Sequence, residues 1–110
     1  AMRDIGEPEL FATMAGMLLS EWDAHLGRLR AAIDATDAHL TRMHAHTLKS
    51  LLAMFHAEHA RRRAMEIEQA ALVIENVDWS VCRRLYGALL EAMDLIKPAF
   101  LRYVETRVIP

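Results

Sequence analysis

Residues 40–55 read Leu40-Thr41-Arg42-Met43-His44-Ala45-His46-Thr47-Leu48-Lys49-Ser50-Leu51-Leu52-Ala53-Met54-Phe55. Within this run Leu40, Met43, Thr47, Leu48, Leu51, Met54 and Phe55 fall at helical spacing, which predicts a helix continuing to about residue 55. Upstream, Leu10, Phe11, Met14, Leu18, Trp22, Leu26, Leu29 and Ile33 recur every three or four positions and mark one long helix. Downstream, Ala60, Ala64, Ile67, Ala71 and Ile74 mark a third, and Val81, Leu85, Leu89, Met93, Ile96 and Phe100 a last one. Only four Gly and three Pro interrupt a chain rich in residues that lose little on entering a helix. The reading is all-α, with four amphipathic helices on short connections forming an antiparallel, up-and-down four-helix bundle.

The joints are less uniformly marked. Pro8 suits an early helical position, where its missing N–H costs nothing. Asp34-Ala35-Thr36-Asp37 ends the first helix and caps the second, with Thr36 as the preferred cap. No Gly or Pro marks the boundary near Phe55 to Ala57. Asn76-Val77-Asp78 is a clear stop and restart, with Asp78 capping and Val77 placed to pack against Cys82. Pro98 should kink the last helix or end its straight part after Lys97. Met14, Met43, Met54 and Met93 lie on the apolar stripes and read as core filling, as does Trp22, whereas Trp79 opens a helix and covers the bundle end.

The chain is 110 residues long and 54% hydrophobic, enough for one core and one domain over 1–110. Thirteen Lys and Arg against fifteen Asp and Glu advertise neither nucleic acid nor an anionic membrane. No apolar run approaches the roughly 18 residues that cross a bilayer, and the amino end carries no basic-then-apolar signal, so a cytoplasmic domain is expected. The opening Ala1-Met2 is compatible with a piece of a longer multidomain protein. Cys82 stands alone and reads as a buried small hydrophobe.

His46 lies about 120° from the centre of its helix's apolar stripe, so its ring should reach solvent. Arg42 precedes it by one turn and Lys49 follows by about one turn, on the same face. Cations flanking an imidazole can steer and steady a transferred phosphoryl group. By geometry alone, a solvated helix face carrying one histidine remains the better reading.

His46-Thr47-Leu48-Lys49, followed after a helical stretch by Ile67-Glu68, resembles the signature of the histidine-containing phosphotransfer (HPt) domains, which show Ala-His-x-Leu-Lys-Gly, a second Gly, and then Leu-Glu or a similar pair. The resemblance extends roughly over residues 10–104. It implies a four-helix bundle with a short amino-terminal helix, a phosphorylated histidine on the second bundle helix, and a stoichiometric carrier instead of an enzyme. Carried over by position, His46 is the phosphoryl acceptor. Glu68 accepts a hydrogen bond from its other ring nitrogen and fixes the tautomer. Lys49 acts electrostatically, and Arg42 and Ser50 belong to the binding face. The implied partners are response-regulator receiver domains and a hybrid sensor histidine kinase; no cofactor, metal, nucleic acid or membrane contact is implied. Ser50 stands where the family usually has Gly, and His56 replaces the second Gly, where close backbone approach is usual.

Two other readings compete. An HPt-like scaffold would bind a receiver or kinase without transferring phosphate, and the two lost glycines motivate it. A helical-bundle metal protein would use the histidines, with His56 and His59 three apart; His44 and His46, two apart, do not share a face. Arg61-Arg62-Arg63 is a local basic patch surrounded by Glu58, Glu66 and Glu68, more a solvated face than a nucleic-acid site.

Overall fold

The computed structural model describes the backbone of residues 2–108 and the side chains of residues 9–105. Its elements are α1 Met2–Ser20, α2 Trp22–Asp34, α3 Ala38–Met54, α4 Glu58–Ala70, a 3-10 turn Ile74–Asn76, and α5 Trp79–Val108, with no strand among the described residues. Helices α2 to α5 close a ring in which each packs on its sequence neighbour and α5 returns to α2; α1 lies mainly against α5. This is the all-α bundle that the periodicity requires.

The core joins Trp22, Leu26, Leu29 and Ile33 of α2 to Ala45, Leu48 and Leu52 of α3, Ala60, Ala64 and Ile67 of α4, and Cys82, Leu89 and Met93 of α5. Truncating one of the large members, such as Leu48, to Ala would cost about 2–5 kcal/mol. Ala45, Ala60 and Ala64 are small as well as buried, and small side chains let helix axes approach. The most extensively packed pair is α3 with α4, the pair that carries His46 and Glu68.

Several expectations change at the joints. The upstream stripe is divided at Glu21, whose N–H is shared between the Met17 and Leu18 carbonyls at 3.2 Å each. Ser20 Oγ donates to the Met17 carbonyl at 2.8 Å, a back-bond that bends helices. The amino-terminal helix is accordingly a 19-residue element, not a short one, and it starts at Met2, well before Pro8. Asp37, not Thr36, caps α3: Asp37 is extended and its Oδ1 accepts from Leu40 N at 3.0 Å. Thr36 has φ 52°, a left-handed residue that closes α2. At the other end of the bundle, Asp78 caps α5 as expected, accepting from Ser80 N at 3.1 Å and Val81 N at 3.3 Å, and Val77 packs on the core that includes Cys82. Helix α5 continues through Pro98 to Val108. Pro98 and Asp94 are exposed, so the Asp94 carbonyl that loses its i+4 donor lies on the solvent side.

The buried arc of α3 is also rotated from the expected one. It runs through Ala38, Thr41, Ala45, Leu48 and Leu52, while Leu40, Met43, Thr47 and Met54 are exposed. Flanked by both α2 and α4, α3 buries small residues where its neighbours come close and turns large apolar ones outward. Met93 is core, but Met43 and Met54 are surface. Ile74, expected on the third stripe, lies exposed in the 3-10 turn.

Candidate functional site

His46 and Lys49 occupy one face of α3, and Glu68 faces them from the last turn of α4. His46 Nδ1 lies 2.7 Å from Glu68 Oε2, and Lys49 Nζ lies 2.7 Å from Glu68 Oε1. One carboxylate therefore holds both groups, one on each oxygen. The His46 side chain is 59% exposed, whereas Glu68 is 19% and Lys49 25% exposed. The carboxylate is sheltered and the imidazole is presented to solvent.

Burial by itself would push the Glu68 carboxyl up, but hydrogen bonds from Lys49 and His46, together with their charges, offset it and hold Glu68 below its usual range. Glu68 is therefore an anion near neutral pH and can only accept. The proton shared with His46 then sits on Nδ1, and the neutral ring keeps its lone pair on Nε2. A sheltered anion behind an exposed nucleophilic nitrogen, with an ammonium group one turn away, suits attack on an electrophile arriving from solvent.

The other predicted residues are placed differently. Arg42 is half-buried and Ser50 exposed on the same helix, and neither joins the cluster by a hydrogen bond or ion pair among the described residues. Arg61 is held by Glu58 within α4, Nε to Oε2 at 3.0 Å, and Arg63 lies 3.3 Å from Glu66, so two charges of the arginine run have local partners. His56 and His59 are exposed, and no group of three or more metal-ligating side chains occurs among the described residues. Cys82 is buried, and burial raises its thiol above the ordinary value. No helix among the described residues is long and apolar enough to cross a membrane.

Sequence reasoning missed the Lys49–Glu68 pair. Its signal was available: a residue on α4 that reaches His46 also reaches a position three further along α3. It also missed the conformation of His56, whose φ is 56°. His56 N bonds to Ala53 O at 3.1 Å and Ala57 N to Leu52 O at 3.0 Å, a Schellman closure whose left-handed position usually holds Gly.

A family model described as Hpt domain matches residues 13–98. Comparisons with curated proteins and with solved structures gave no match.

Proposed function

Because this chain belongs to the Hpt domain family, whose members are phosphocarrier modules of phosphorelay signalling, we propose that His46 is its phosphoryl carrier, exchanging with receiver-domain aspartates. The observation that carries the reading is the 2.7 Å contact between His46 Nδ1 and Glu68 Oε2 on a ring otherwise open to solvent. In the transfer step Nε2 forms a bond to phosphorus as the bond from phosphorus to the receiver's aspartyl oxygen breaks. The carboxylate leaves, and the proton on Nδ1 stays shared with Glu68, which offsets the positive charge the ring acquires. Lys49 holds Glu68 from the other oxygen and keeps a cation beside the transferred group.

The receiver surface is the outer face of α3. Arg42 and Ser50 flank His46 on it, with the exposed Met43 and Met54 alongside. Methionines adapt to more than one partner surface, which suits a protein that must receive from one receiver and give to another. The whole of residues 1–110 is read as one such domain, working by stoichiometric transfer and without a cofactor.

The test is transfer from a phosphorylated receiver. The wild type should acquire acid-labile label, and His46→Gln should abolish it. Label that persists in His46→Gln, or that survives acid, would reject His46 as the carrier. A wild type that binds a receiver and never becomes labelled would instead support a non-transferring scaffold.

A further inference from the structure

A cavity lies at the end of the bundle where α1, the close of α3 and α5 meet. It has a volume of about 450 Å³ and is lined by Phe11, Ala15, Phe55, His56, Ala99, Phe100 and Tyr103. All three phenylalanines of the chain contribute to it. Phe11 and Phe55 meet edge to face with centroids 5.3 Å apart, and Phe55 and Phe100 with centroids 5.1 Å apart. Phe100 in turn meets Trp22 at 5.7 Å. The rings contact one another in a continuous aromatic wall.

The second observation is His56. It holds a left-handed backbone conformation, φ 56°, which is unfavourable for a residue that carries a side chain. The strained residue lines the cavity, where a glycine would relieve the backbone and offer no side-chain polar group. Strain that persists beside a concave surface points to use of the residue. Thr36 shares the conformation but is not among the residues lining this cavity, so the turn geometry alone does not create the arrangement.

The geometry points to a second binding site in this cavity, for a small planar aromatic molecule carrying one hydrogen-bonding group. The volume falls in the range of ligand pockets, which are mostly apolar with a few polar groups that fix orientation. Ring walls favour a planar guest, because edge-to-face and offset contacts add to area burial. His56 supplies the orienting polar group. The site is separate from His46: Phe55 and His56 follow the last residue of α3, and His46 lies more than two turns earlier.

Indole is the probe. Titrated into the full chain and followed by ¹H–¹⁵N correlation spectra, it should give saturable shifts centred on Phe11, Ala15, Phe55, His56, Ala99, Phe100 and Tyr103, with a dissociation constant of roughly 1 mM or tighter. Cyclohexanol, an aliphatic ring with one hydroxyl, should bind at least about fivefold more weakly. Ala99→Phe fills the cavity from an exposed position and should weaken indole at least about tenfold with helicity unchanged. His56→Gly should raise the melting temperature while weakening indole about two- to tenfold, the worth of one hydrogen bond. Absence of saturable shifts, shifts centred on the outer face of α3, or equal binding of the two rings would overturn the aromatic site. A His56→Gly variant that binds indole as well as the wild type would overturn the use of the strained histidine.

Discussion

Glu58 and Glu68 sit at opposite ends of α4, and each holds a cation, yet the two pairs differ in kind. Glu58 is paired with Arg61 one turn along its own helix, and the carboxylate itself is 57% exposed. Glu68 reaches across to α3, is largely sheltered, and bridges two residues, one of them an imidazole. A pair within a helix restrains only itself and is screened by water. A carboxylate held between helices fixes the orientation of what it touches, because both ends are anchored by a packed core. The lesson is that spacing of charges identifies the first kind of pair, and only packing identifies the second.

The largest separation of the two should come from alanine substitution. Glu68→Ala removes a hydrogen bond contributing about 0.5–3 kcal/mol and should slow phosphotransfer roughly twofold to a hundredfold. Receiver binding should change much less, since the proposed role of Glu68 is to orient the nucleophile and not to form the docking surface. Glu58→Ala should leave both quantities unchanged. If Glu68→Ala lowers binding in parallel with transfer while helicity and melting are unaltered, Glu68 is an interface residue and the contrast fails.

A smaller effect isolates Lys49. Glu68 is held below its ordinary value, so the stability it contributes is present above the usual carboxylate range and is lost as pH falls through its own, lower pKa. Lys49→Met removes one of the two influences that offset burial, and the carboxyl should then protonate at higher pH than in the wild type. Carbon-13 titration of the Glu68 side chain reads this directly. An unchanged titration would mean that Lys49 is incidental to the link.

The smallest effect concerns the turns. Thr36 and His56 close α2 and α3 with the same pair of backbone bonds, and both are left-handed. Thr36→Gly should stabilise the fold by about 0.5–1 kcal/mol without touching transfer, read as a higher melting temperature. A lower melting temperature would show that the threonine side chain contributes more than its strained backbone costs.

Much of this was legible in the residues. The all-α class, the cap at Asp78, the burial of Trp22 and Cys82 and the exposure of His46 followed from periodicity and side-chain chemistry, whereas the break at Glu21, which makes two helices of the first stripe, did not. The buried arc of α3 did not, because large apolar residues were weighted over Ala45 and Ala38, and a helix with neighbours on two sides rewards small residues at the contact. Thr36 was misplaced for a related reason: Thr and Asp both cap helices, and only the preceding turn's handedness decides which of two adjacent residues does so. The turn at His56 was poorly marked because a histidine occupies a conformation usually signalled by glycine. For the site, His46 and Lys49 could be placed on one face from spacing, but Glu68 came from family resemblance, since no local pattern reveals which glutamate on another helix will face them.

In the proposed mechanism Glu68 occupies Nδ1 of His46 and thereby leaves Nε2 to take the phosphoryl group. Long-range ¹H–¹⁵N correlation of the phosphorylated protein, labelled at histidine, assigns the modified nitrogen without kinetics. Phosphorus should be found on Nε2 of His46, with a protonated Nδ1 still bonded to Glu68. Phosphorus on Nδ1, or on any of the other histidines, would contradict it.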